Sequence, residues 1–170
     1  EEEVTKKFKE WIGDLPLVAH NAKFDVSFIV MAHSKYNMGE FKNTVIDTLE
    51  LSRALDTGYA RHSLSALVKR YDVPWDEDAH HRGDYDAEGT ALVFHKMLKK
   101  LVSRNFEVIK DLDKLVSKDE IHKYGSAYHV NIIAKNKTGL KNMFKLISYA
   151  NTKYLYKTPR ILWSEIEKHR

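Results

Sequence analysis

The sequence predicts an α/β fold, and two observations carry that prediction. Short apolar runs that read as buried strands, Leu17-Val18-Ala19 and Val45-Ile46-Asp47-Thr48, each lead into a stretch with the periodicity of an amphipathic helix. After Ser103 this alternation stops, and a charged stretch separates it from a second strand-then-helix pattern.

Taken in order, Val4, Phe8, Trp11 and Ile12 recur at helical spacing until Gly13 stops the pattern. No cap residue precedes Glu1-Glu2-Glu3, so the start reads as cut. The run after Pro16 delivers His20 and Asn21 to the C-terminal end of a strand, where open α/β sheets bind ligands. Phe24, Phe28 and Ala32 begin a second helix, with Asp25 in its first turn. Asp47 stands at the exit of the second strand, and residues 49–55 continue as a helix.

Ser63 caps a helix carrying Leu64, Leu67, Val68 and Tyr71 on one face. Residues 76–84 are polar and irregular. Asp84 then reads as the N-cap of a long helix that turns Ala87, Ala91, Phe94, Leu98 and Leu101 inward. Residues 104–127 read as a connector with one short helix at 112–116. Tyr128 to Ala134 alternates as a strand does, Asn136-Lys137-Thr138-Gly139 reads as a turn, and Leu140, Phe144 and Ile147 line a final helix. Lys135, Lys137, Lys141 and Lys145 give that tail a basic face. The expected organisation is therefore 1–103, a connector at 104–127, and a second piece at 128–170.

Composition narrows the function classes. At 170 residues and 43% hydrophobic content there is enough apolar material for a core. No apolar run approaches the roughly 18 residues of a membrane span, and the acidic start is unlike a secretory signal. Zero Cys excludes a disulfide framework and a thiolate zinc site, which makes the cytoplasm the expected compartment and no membrane the expected environment. The net charge of +4 favours a polyanionic partner.

The chemistry concentrates in His80-His81-Arg82-Gly83-Asp84-Tyr85-Asp86-Ala87-Glu88, a polar loop running into a helix start. Asp25 and Asp86 both fall in the first turn of a helix, and each follows a histidine by five positions, His20 and His81. If those helix starts converge, the carboxylates can share hard divalent cations with a substrate's phosphate oxygens, while a histidine takes a proton from water. Spacing alone leaves other readings open. Asp25 and Asp86 can serve only the helix dipole, His20 can be a core histidine, and His62, His80 and His81 can be a zinc site.

Residues Leu17 through Asp25 resemble the second motif of the DnaQ-like DEDDh 3′→5′ exonuclease family, and His81-x-x-x-x-Asp86 resembles its third. Asp47-Thr48-Leu49-Glu50-Leu51 and His62-Ser63-Leu64-Ser65-Ala66-Leu67 resemble the family's connecting segment. Tyr128 through Asn142 is similar to the polymerase-and-histidinol-phosphatase (PHP) domain of PolC-type bacterial replicative polymerases, in which exonuclease and PHP segments adjoin. The resemblance implies a partial ribonuclease H-like fold, with helices around a truncated mixed sheet, followed by a small strand-helix PHP remnant. It implies proofreading removal of nucleotides from a single-stranded DNA 3′ end. Asp25 and Asp86 then match metal ligands for two Mg2+ or Mn2+ ions, His81 matches the catalytic general base, and His20, Asn21 and Phe24 match substrate-side positions. The implied partners are DNA, the rest of a polymerase chain and its sliding clamp.

The family's first motif, Asp-x-Glu on a strand, is absent, as are the histidines of a PHP metal site. The chain is therefore expected to be an internal fragment, inactive alone and without a PHP metal. Two alternatives remain beside this: an RNA-trimming exonuclease of the same superfamily, and a non-catalytic docking module.

Overall fold

The computed structural model describes residues 1–76, 82–106, 112, 114–117, 119–125 and 127–170. The chain divides into two compact units, Glu1–Leu112 and Asp113–Arg170.

In the first unit, helix α1 (Glu2–Ile12) ends at Gly13, which takes a positive φ of 48° that suits glycine. Strand β1 (Leu17–Ala19) leads through Asn21 into helix α2 (Ala22–Lys35), and strand β2 (Val45–Asp47) leads directly into helix α3 (Thr48–Leu55). Helix α4 (Leu64–Arg70) starts at Ser63, whose hydroxyl accepts from the Ala66 N–H. Helix α5 (Gly83–Val102) is the longest of the described helices.

A mixed sheet is expected, but the described residues hold one parallel pair, with Leu17, Val18 and Ala19 facing Val45, Ile46 and Asp47 in register. A parallel pair needs a crossover, and α2 supplies it. Helices α2 and α5 both pack on β1, while α3 and α4 pack on α5. The core between them contains Ile46, Leu51, Leu55, Leu67, Val68, Val93 and Met97, of which Leu67, Val68, Val93 and Met97 are wholly excluded from solvent.

Two expectations for α5 need correction. Its N-cap is Arg82, which leaves Asp84 in the first turn, exposed and paired with Arg82 at 2.9 Å. Its buried face runs Gly89, Thr90, Val93, Met97 and Leu101, while Ala87, Ala91 and Leu98 face solvent. The chain uses the small and polar residues Gly89 and Thr90 where α5 meets its neighbours. An apolar-only reading therefore rotates the face by about one position. Helices α1 and α2 also leave Trp11, Phe24, Phe28 and Met31 exposed.

In the second unit, helix α6 (Ile121–Tyr124) precedes helix α7 (Lys137–Asn151) and helix α8 (Trp163–Lys168). The helix expected at 112–116 includes residue 113, outside the described residues. Leu112 and Lys114 take 3₁₀ geometry, and residues 115 and 116 are bends. The strand predicted over 128–134 does not form: that stretch has no ladder partner among the described residues, and Tyr128 and Ile133 are 73% and 92% exposed. Alternation makes a segment fit for a sheet without supplying a neighbouring strand. The turn expected at 136–139 is instead the start of α7, where the Asn136 side chain accepts from the Gly139 N–H at 2.8 Å.

Leu140, Phe144 and Ile147 are exposed on α7, and Leu146 is the residue it buries. In the same unit, Tyr154 donates to Glu165 at 3.2 Å, and the Arg160 guanidinium donates to the carbonyls of His122, Lys123 and Gly125. Among the described residues no helix is long and apolar enough to cross a membrane.

Candidate functional site

The loop between β1 and α2 is built around a carboxylate that sequence reasoning passes over. Asn21 takes left-handed backbone angles, φ 63° and ψ 46°, a conformation asparagine tolerates better than most residues. That bend turns two successive N–H groups, those of Asn21 and Ala22, onto the Asp47 carboxylate, each at 3.0 Å. Such a concave pair of amides is an anion nest. Asp47 also accepts from the Leu49 N–H at 2.9 Å, so one side chain caps α3 and closes the start of α2. The Asp-Thr-Leu sequence after an apolar triplet was a legible cap signal for α3. The bridge to Asn21 was not legible.

His20 sits beside this nest, half-buried, with Nδ1 3.0 Å from the Thr48 hydroxyl. Burial pushes its pKa down, and the nearby Asp47 carboxylate opposes that only in part. Thr48, fully buried, reaches the Ala19 carbonyl at 3.3 Å and so locks the exits of β1 and β2 together. His20 is thereby a neutral, oriented ring at a strand exit.

Asn21 and Phe24 are exposed on the same turn, and Phe24 lies edge-on to Phe28 with ring centroids 5.1 Å apart. Asp25 projects from the first turn of α2, exposed and with no hydrogen-bond or ion-pair partner among the described residues. Asp86 lies half-buried in the first turn of α5, its N–H donating to the Arg82 carbonyl at 2.9 Å. Both helices pack on β1. His80 and His81 lie outside the described residues. Of the six residues singled out from the sequence, His20, Asn21, Phe24 and Asp25 share the β1–α2 junction, and Asp86 stands at the start of α5.

The donor chemistry suits a hard divalent cation, because Asp25 and Asp86 offer carboxylate oxygens in the first turns of two helices. Among the described residues no group of three or more His, Cys, Asp or Glu side chains could hold a metal. Asp25 and Asp86 therefore match such an ion in donor type, and it would need further ligands beside them. The zinc reading through His62 fits poorly: its Nε2–H donates to the Tyr59 carbonyl at 2.9 Å, and Nδ1 lies 2.9 Å from the Ser52 hydroxyl. Both ring nitrogens are already engaged. Burial pushes the His62 pKa down, and the Ser52 hydroxyl beside it donates to the Leu49 carbonyl at 2.8 Å.

The comparisons agree with these motifs. The family described as Exonuclease (RNase_T) matches residues 1–94. DNA polymerase III PolC-type from Staphylococcus aureus is 42% identical over 169 residues, which is 99% of this chain and 12% of that protein. The same protein from strains MW2 and USA300 gives the same identity and coverage. The chain thus spans about an eighth of the length of these relatives. No solved structure matches it.

Proposed function

The chain belongs to the exonuclease family, and on that premise we propose that it forms part of a 3′→5′ proofreading nuclease within a replicative DNA polymerase. The observation that carries this reading is the pair of first-turn carboxylates, Asp25 and Asp86, on two helices supported by one strand. The similarity to PolC-type polymerases supports DNA, the remainder of a polymerase and its sliding clamp as partners.

In this reading Asp25 and Asp86 hold divalent cations, Mg2+ or Mn2+, whose chemistry when bound is to neutralise charge at the scissile phosphate. His81 accepts the proton of the attacking water, a task matched to an imidazole whose ordinary pKa lies near neutrality. Phe24 offers an exposed aromatic face for a terminal base to stack on, and stacking tolerates any base. Asn21 contributes through its backbone, since its bend and its N–H fix the turn from which Phe24 and Asp25 project. His20, neutral and tied through Nδ1–H to the Thr48 hydroxyl that itself donates to the Ala19 carbonyl, orients that turn without carrying charge.

The 170 residues contain no strand-borne Asp-x-Glu. The activity therefore belongs to a polymerase that supplies those ligands, and the chain alone is predicted to release no nucleotide. The test is nucleotide release from a 3′-labelled single strand by the intact polymerase carrying this chain. Asp25→Ala and Asp86→Ala should each lower release by at least roughly a hundredfold. Release that survives both substitutions would defeat the proposal. Comparing labelled DNA with labelled RNA separates proofreading from RNA trimming.

A further inference from the structure

We propose that Trp75, Tyr85 and Gly89 form a positioning clamp that seats Asp76 against the first turns of α5, beside Asp86. This rests on the nuclease reading above and adds residues to it. Tyr85 and Gly89 are one helical turn apart and so share a face of α5. The Trp75 indole packs over both, with its ring centroid 4.7 Å from that of Tyr85 and the planes inclined by 40°.

Gly89 is required for that seat. A Cβ at this position would lie 2.1 Å from the Trp75 ring, well inside van der Waals contact. Gly89 sits within a helix, where glycine costs roughly 0.5–1 kcal/mol relative to alanine. Its presence there is explained by the indole that occupies the Cβ position. The third contact is polar: the Asp76 backbone N–H donates to the Tyr85 hydroxyl.

The consequence follows from chain connectivity. Asp76 is fastened to Tyr85, and Arg82 is fastened to the same turn through its carbonyl and the Asp86 N–H. Asp76 and Arg82 are thus both tied to the turn that carries Asp86. In this proposal Trp75, Tyr85 and Gly89 act through the turn they hold. They are positioning residues, and a small displacement of a reacting group is enough to cost about tenfold to a hundredfold in rate.

The test compares Tyr85→Phe, which keeps the ring and loses the hydroxyl, with Gly89→Ala, which displaces the indole. Exposed Leu98→Ala on α5 serves as the control. In the intact polymerase, both clamp variants should lower kcat for nucleotide release by about tenfold while KM for the strand stays within about twofold. Amide exchange at Asp76 should quicken by at least roughly tenfold in Tyr85→Phe, a readout independent of metal and of activity. Adding Trp75→Phe to Gly89→Ala, which makes room for the new methyl, should restore part of kcat.

Unchanged Asp76 exchange, wild-type kcat in both variants, or a loss that falls equally on kcat and KM would overturn the clamp. If Asp86→Ala abolishes release while Tyr85→Phe and Gly89→Ala do not lower it, the clamp fails and the nuclease reading stands. If Asp86→Ala leaves release intact, the nuclease reading fails, and the clamp with it.

Discussion

The two ends of helix α5 are fastened by different chemistry. At the C-terminal end, Lys100 reaches Asp56 at 2.6 Å, and the same carboxylate, fully buried, accepts from Arg70 at 2.8 Å and Tyr71 at 3.0 Å. Burial pushes the Asp56 pKa up, but the hydrogen bonds from Lys100, Arg70 and Tyr71 outweigh it and hold the carboxyl below its ordinary value. Burial and the Asp56 charge push the Tyr71 phenol well up, so it remains a donor. At the N-terminal end the fastening is aromatic, Trp75 against Tyr85 and Gly89. Asp56 joins α3, α4 and α5 and has every oxygen committed. Asp86 stands at the end where Trp75 packs on Tyr85 and Gly89.

The sharpest way to break this contrast is to remove Asp56. Asp56→Ala leaves Arg70 buried without its counter-ion and should cost about 3–5 kcal/mol, measured as a drop in the urea midpoint. Gly89→Ala, at the other end, should cost less. Overpacking against the indole is worth roughly 1–3 kcal/mol, partly offset by the roughly 0.5–1 kcal/mol alanine gains in a helix. Its signature is optical as well. Trp11 and Trp163 are 81% and 67% exposed, so displacing half-buried Trp75 should shift the emission to the red.

Acidification should sharpen the contrast in two steps. His20 and His62 have folded pKa values below the ordinary 6.5. Their contribution is complete above that value and is lost as pH falls through the folded values. The Asp56 contribution is present above its ordinary value of 3.8 and is lost as pH falls through its depressed one. The urea midpoint should therefore decline first below about pH 6.5 and again below about pH 4, and His20→Gln should reduce only the first decline. Arg82→Ala, which breaks the exposed pair with Asp84, should leave the midpoint unchanged, because solvent screens such pairs.

Much of the architecture could be read from local pattern. Leu17-Val18-Ala19 and Val45-Ile46-Asp47 were recognisable as strands because short apolar runs bounded by polar loops have few other uses, and Ser63 announced α4. Asp56 could not be read. Its partners stand 14, 15 and 44 positions away, beyond any periodicity. The stretch at 128–134 failed for the complementary reason: its alternation is real, but a strand exists only through a neighbour. Asp25 and Asp86 were visible as first-turn acids. The clamp at Gly89 was hidden because a helical glycine reads as a weakness until its neighbour is known.

The central claim is that Asp25 and Asp86, on separate helices, serve one cation site. The most direct measurement is Mn2+ affinity by calorimetry on the intact polymerase for Asp25→Ala, Asp86→Ala and the double variant. A shared site predicts that each single substitution weakens the same binding event and that the double variant loses little more, a coupling of at least about 1 kcal/mol. Effects that simply add, or Mn2+ binding untouched by either substitution, would contradict it.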